Sequence, residues 1–209
     1  MAKSLKGTFI TFEGSEGCGK STQAKLLCSY LKNKKKKVLH IREPGGIKIS
    51  EKIRKVLLDV KNKEMTKECE VLLYMAARAQ LVDEIILPAL KKGTIVVCDR
   101  FLDSTLAYQG YGCGIDVSLI EQVGYFATKG IAPDITFLLD MQISKSFSRI
   151  RQAKDRIEQR SVKYHNQVRL GYLALAKKDS KRITIIQAND DVNSIKQTIE
   201  KLVCEKLKI

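Results

Sequence analysis

Apolar residues in this chain fall into short continuous runs separated by stretches of helical spacing. Residues 8–13, β-branched and aromatic, predict a buried strand that ends in a glycine-rich loop. From Lys20 to about Leu31 the residues Ala24, Leu27, Cys28 and Leu31 return to one face, which predicts a helix. Residues 38–41 predict a second strand and 49–58 a second helix. Residues 70–90 predict a longer helix, with Pro88 near its end. The unbroken apolar runs at 94–98 and 135–139 are those of strands covered on both sides. A last such run lies at 183–186, and residues 192–207 predict a closing helix. Strands alternating with helices give an α/β fold with a doubly wound, parallel five-stranded sheet.

Composition narrows this picture little. The 209 residues suit one domain, 1–209, with no repeat or Pro/Ser-rich linker and prolines only at 44, 88 and 133. Six cysteines without CxxC spacing suggest neither a disulfide framework nor a zinc site. No apolar stretch approaches 18 residues, and residues 1–7 lack the apolar core of a signal peptide. A reduced, cytoplasmic protein without a membrane partner is expected. The net charge of +15 attracts phosphates, in nucleic acid or in nucleotides. Most of the excess is scattered lysine, such as Lys34-Lys35-Lys36-Lys37, which reads as a solvated loop. Charge does not decide between the two partners.

The chemistry begins at Gly14-Ser15-Glu16-Gly17-Cys18-Gly19-Lys20-Ser21, which matches G-x-x-x-x-G-K-[ST] between a strand and a helix. Glycines let the backbone curl so that its amides point at phosphate oxygens, and the helix beginning at Lys20, Ser21 and Thr22 adds its positive end. Lys20 is expected to reach the β- and γ-phosphates of ATP, and Ser21 to hold Mg²⁺. GTP specificity would need Asn-Lys-x-Asp; Asn33-Lys34 runs into lysines and Asn62-Lys63-Glu64-Met65 lacks the aspartate. Asp99 and Asp140 each end a predicted strand, where open α/β sheets bind ligands, so either could stand near the metal. Arg42, Arg54 and Arg100 offer guanidinium forks for a second phosphate; Arg54 also fits a solvated helix face.

Four further segments, in order, resemble the thymidylate kinases: Arg42-Glu43-Pro44-Gly45-Gly46; residues 70–80 with Ala76-Ala77-Arg78-Ala79-Gln80; Asp99-Arg100 with Ser104-Thr105-Leu106-Ala107-Tyr108-Gln109-Gly110; and Asp155-Arg156-Ile157-Glu158-Gln159. The resemblance spans residues 8 to about 175. It implies a P-loop nucleotide-kinase fold with a short lid at about 147–160, and transfer of the γ-phosphoryl of ATP to dTMP with Mg²⁺. It also implies a homodimer through the long helices and no nucleic-acid partner. By resemblance, Asp99 is favoured over Asp140 for the metal, and the peptide before Pro44 is cis. Arg54 and Arg100 contact the acceptor phosphate, with Ser104 and Thr105 beside them. Tyr74 stacks on the base, although plain core packing also fits that position. Arg78 and Gln109 meet the pyrimidine edge, Tyr108 crowds the ribose 2′ position, and Glu16 meets the 3′-hydroxyl.

Positions 15–18 of the phosphate loop carry no positive charge. The catalytic arginine is therefore expected from the lid, as in many bacterial members of the family. Residues 147–160 hold Arg149, Arg151, Arg156 and Arg160; Arg151 is favoured, then Arg149 and Arg156, while Arg160 fits a solvated helix face.

Overall fold

The computed structural model describes residues 5–149 and 155–209. Five strands form one sheet: β1 (Phe9–Glu13), β2 (Val38–Arg42), β3 (Ile95–Asp99), β4 (Ile135–Asp140) and β5 (Ile183–Gln187). Their order is β2-β3-β1-β4-β5, and every pairing is parallel. This is the α/β architecture with a parallel five-stranded sheet expected from the sequence. β1 lies between β3 and β4, so successive connections leave it in opposite directions and open a crevice at the carboxyl ends. The register brings Phe12 beside Asp99 and Glu13 beside Leu138, which gathers the strand-end carboxylates at that crevice.

The period of two along β1 divides its residues between two apolar layers. Ile10 and Phe12 join Leu27 and Leu31 of α1 (Lys20–Asn33), and Ile195, Ile199 and Val203 of α9 (Val192–Leu207). Phe9 faces the other side, where it packs among Leu81, Ile86 and Leu90. Glu13 shares that second side by parity and is fully buried. Each fully buried Phe or Leu contributes roughly 1.5–3 kcal/mol, so these layers hold the sheet.

Helix α2 spans Lys48–Leu58 and α3 spans Lys67–Leu81, where Thr66 caps the first turn by accepting from the Cys69 amide at 3.2 Å. The long helix expected at 70–90 is more structured than its periodicity suggests. After α3 comes a π-helical turn, Val82–Ile86, then α4 (Leu87–Lys91) with Pro88 in its first turn. Proline has no amide hydrogen and its ring crowds the carbonyl four residues back; the wider turn relieves both problems without ending the helix.

A second π-helical segment, Leu106–Gly112, follows the short α5 (Leu102–Thr105) and precedes α6 (Val117–Thr128). It packs closely on α8 (Val162–Lys178). Gly171 makes that approach possible, because a Cβ there would lie 2.6 Å from the Cβ of Tyr111. Helix α7 covers only Ile143–Ser148, with Arg149 just beyond its end. Arg151 lies outside the described residues.

Candidate active site

The phosphate loop closes the carboxyl end of β1. Gly14, Gly17 and Gly19 take φ of 134°, 72° and 96°, which only glycine adopts without strain. At Gly14 a Cβ would also meet the Leu139 carbonyl at 2.4 Å. Lys20 folds over the loop, donating to the Ser15 carbonyl at 2.6 Å with the buried Cys18 thiol 3.7 Å away. Ser146 of α7 donates to the Glu16 carbonyl and fastens the loop from the lid side. Thr22 is exposed on the first turn of α1, beside Ser21.

The two candidate aspartates are distinguished by their partners. Ser21 donates its hydroxyl to Asp99. Asp140 instead accepts two N–H bonds from Arg169, both at 2.7 Å. Asp99 is therefore the strand-end carboxylate that adjoins the loop hydroxyl.

From this loop a cleft of ≈ 390 Å³ runs toward α2 and α3. Arg100 forms its floor in a left-handed conformation, φ 71°. Its guanidinium donates to the Gly14 carbonyl, Ser104, Tyr172 and Tyr108 at 3.0–3.1 Å, and to Glu16 at 3.0 Å. Tyr108 donates to the same Glu16 oxygen at 2.5 Å. Burial works to raise the Glu16 pKa, but the charges of Arg100 and Lys20 and the Tyr108 hydroxyl outweigh it and hold the carboxyl below its ordinary value. Glu13, behind this wall, accepts from the Phe101 amide at 2.7 Å, Ser104 at 2.5 Å and Tyr172 at 3.0 Å. Burial, with Asp103 nearby, pushes Glu13 up to about 7.

The far wall begins at the cis Glu43–Pro44 peptide. Arg42 and Arg54 both donate to the Pro44 carbonyl, at 3.0 and 2.9 Å, and Arg42 pairs with Glu51 at 2.8 Å. Arg54 lines the cleft rather than a solvated face; burial and the nearby Arg42 lower its pKa. Tyr74 lines the cleft too and is half-buried. Arg78 is held by Glu43 at 2.7 Å, and by the Phe101 carbonyl and Thr105 at 3.0 Å each. Gln109 completes the wall and donates to Glu70 at 2.8 Å.

Two lid arginines are held by partners within the protein. Arg156 donates to the Leu57 carbonyl at 2.8 Å and to Glu70 at 2.6 Å. Arg160 is no solvated charge: it binds Glu70 at 2.7 Å, Tyr164 at 2.8 Å and Cys113 at 3.0 Å. Arg149 is exposed, with one 3.4 Å contact to the Ala188 carbonyl.

This arrangement, a phosphate loop facing a second arginine-lined pocket, has close counterparts. The family model described as thymidylate kinase matches residues 12–199. The chain belongs to the thymidylate kinase family. A thymidylate kinase of Geotalea daltonii is 45% identical over 96% of this chain and 98% of its own. That of Caldanaerobacter subterraneus is 44% identical, covering 98% of each. The crystal structure of thymidylate kinase from Ehrlichia chaffeensis superposes with a TM-score of 0.78 at 36% identity, covering 94% of this chain and 98% of that one. Membership makes the chain a nucleoside monophosphate kinase, a transferase of the P-loop fold.

In this thymidylate kinase family member the fold brings to the site several residues that carry little local signal in the sequence. Glu13 stood out only as a strand end, and Glu43 only as part of the Arg-Glu-Pro-Gly-Gly loop. Tyr172 reaches Arg100 from 72 positions away, and nothing local marks it. Glu70 carried no signal beyond its place at a helix start. His165, fully buried with Nδ1 3.7 Å from Glu16, lies in the first turn of the helix after the lid segment, which is the hint that could have found it.

Proposed function

We propose a division of labour by which this member of the thymidylate kinase family moves the γ-phosphoryl of ATP to dTMP, giving dTDP. The observation that carries it is the position of Arg100, which joins the phosphate loop at Gly14 and Glu16 to the acceptor wall at Ser104 and Tyr108. A phosphate held by Arg100 would lie between the donor loop and the second pocket.

Residues 14–22 cradle the ATP phosphates, and Lys20 leaves the Ser15 carbonyl to reach the β- and γ-oxygens. Arg54 and Arg100, with Arg42 behind them, orient the dTMP phosphate; Ser104 and Thr105 help set that wall. This monoester has a second pKa near 6 and is mostly dianionic at neutral pH, so no general base is needed. Alignment and charge neutralisation remain as the catalytic task. Tyr74 stacks on thymine, Arg78 and Gln109 meet its edge, Tyr108 crowds the 2′ position, and Glu16 receives the 3′-hydroxyl. Arg151, then Arg149, neutralises the transferring phosphoryl, while Arg156 seats the lid. A closed lid over 147–160 excludes water.

Ser21 and Asp99 suit Mg²⁺, because both are hard oxygen donors and they adjoin at the phosphate loop. Two protein oxygens with substrate phosphates and water are the usual Mg²⁺ set. Mg²⁺ held there would offset charge on the β- and γ-oxygens.

No helix among the described residues is long and apolar enough to cross a membrane, and a cytoplasmic enzyme fits that. Exposed Leu72 on α3 and Leu119, Tyr125 and Phe126 on α6 support a homodimer through these helices, which pack together.

The test is coupled ADP release with Mg-ATP against dTMP, dUMP, UMP, dCMP, dGMP, AMP, thymidine and a blank. Strong preference for dTMP is expected. Equal release with and without acceptor would make the protein an ATPase instead.

A further inference from the structure

Glu70 lies in the first turn of α3, is fully buried, and stands behind the cleft wall rather than in it. Its two oxygens face two different parts of the machinery. Oε2 accepts from Arg156 at 2.6 Å and from Arg160 at 2.7 Å, both at the C-terminal end of the lid segment. Oε1 accepts from Gln109 Nε2 at 2.8 Å. Gln109, from the second π-helical segment, is itself part of the cleft lining. We infer that Glu70 is a positioning residue that sets the polarity of the base-reading wall, by holding Gln109 with its carbonyl oxygen toward the cleft.

A carboxamide is nearly symmetric in shape but not in hydrogen bonding: one end donates and the other accepts. Left alone, Gln109 could present either end to a ligand. Opposite a carboxylate it has one choice, since the flipped amide would set oxygen against oxygen in a buried place. The two guanidiniums require Glu70 to be an acceptor, so the constraint passes from the arginines through Glu70 to Gln109. An acceptor oxygen in the cleft receives the imide N3–H of thymine or uracil. Cytosine offers a lone pair at the same position, and two acceptors would then face each other. This inference rests on the reading of the cleft as the acceptor pocket. It adds which residue makes that pocket select an imide base.

The experiment compares kcat/KM for dTMP and dCMP in wild type, Glu70→Gln, Gln109→Met and the double variant. In Glu70→Gln the new carboxamide has one acceptor end, which the arginines claim, and its NH₂ turns toward Gln109. Gln109 must then flip and show its own NH₂ to the base. The dTMP-to-dCMP preference should fall at least about tenfold, with dCMP turnover rising in absolute terms. In the Gln109→Met background the same change at position 70 should move the ratio by less than about twofold. An unaltered ratio in Glu70→Gln, whatever its stability, would leave Glu70 as a structural tie for the lid and overturn the inference. So would an equal shift with and without Gln109. If Glu70→Gln does not fold, Gln109→Met decides: its ratio should fall at least about tenfold, and an unaltered dTMP preference overturns the inference. Wild-type protein that fails to phosphorylate dTMP overturns the acceptor reading, and this inference with it.

Discussion

Arg78 and Glu43 meet at 2.7 Å in the cleft wall with only 2% and 4% of their side chains exposed. Burial raises the Glu43 pKa, and the charge and hydrogen bond of Arg78 offset this only in part. The pair is therefore a joint between the loop after β2 and helix α3 whose members depend on each other. It also leaves Arg78 little freedom to rearrange for a ligand.

Removing one partner should show this dependence. Arg78→Met keeps most of the volume but strands a buried carboxylate, and should cost about 3–5 kcal/mol in urea unfolding at pH 7.5. The loss should shrink at pH 5, because a Glu43 pKa raised further lets the carboxyl take up a proton. The Arg78→Met/Glu43→Gln double variant should recover most of the loss. If the double variant is as unstable as the single one, the ion pair is not what holds the joint.

Asp99 and Asp140 end the two strands that flank β1 yet should respond differently. Asp99→Asn should raise the Mg²⁺ concentration for half-maximal activity by about 10–100-fold, since Ser21 would lose its carboxylate neighbour. Asp140→Asn breaks a partly exposed pair with Arg169 and should cost about 1 kcal/mol or less without changing the Mg²⁺ requirement. A Mg²⁺ titration of both variants checks this. A shift in Asp140→Asn alone would exchange their roles.

The difference between these aspartates also marks the limit of what the sequence could say. Strand runs and the phosphate loop are local patterns, so β1 to β5 and residues 14–21 were legible, as were Asp99-Arg100 at the end of a covered strand. Partners are not local. Arg169 lies 29 positions from Asp140 and Tyr172 lies 159 from Glu13, and the packing of α8 on β4 and on the second π-helical segment brings them together. The π-helical turns were hidden for a related reason: a wide turn adds one residue to a helix without changing its apolar character. Lid arginines could be counted from the sequence but not sorted. Whether a guanidinium is engaged depends on Glu70 and the Leu57 carbonyl, both far away in the chain.

That sorting predicts opposite phenotypes within the lid. Arg156→Ala loses two hydrogen bonds at a nearly buried side chain and should destabilise by about 1.5–3 kcal/mol, seen as a lower Tm. Arg149→Ala should change stability by less than about 0.5 kcal/mol, as an exposed substitution does. Arg151→Ala should lower kcat about 10²–10³-fold with little change in the KM for dTMP, the behaviour of a group that acts in the transition state. Normal stability with lost kcat in Arg156→Ala would move the transfer role to that residue.

Glu13 should leave a signature in the pH dependence of stability. Its carboxyl is pushed up to about 7 from an ordinary value near 4.5, chiefly by burial and then by Asp103. Between those two values the folded protein holds a proton that the unfolded chain has released. Folding stability from this group is thus full below about pH 4.5 and declines as pH rises through 7. Glu13→Gln keeps a carbonyl for the Phe101 amide and offers an NH₂ to Ser104 and Tyr172, whose hydroxyls can turn to accept it. Relative to wild type, the variant should therefore gain stability from pH 5 to about pH 7 and level off above it. Urea midpoints at four pH values across that range test this. A wild-type advantage that grows with pH would mean that Glu13 is ionised throughout and that its three donors outweigh its burial.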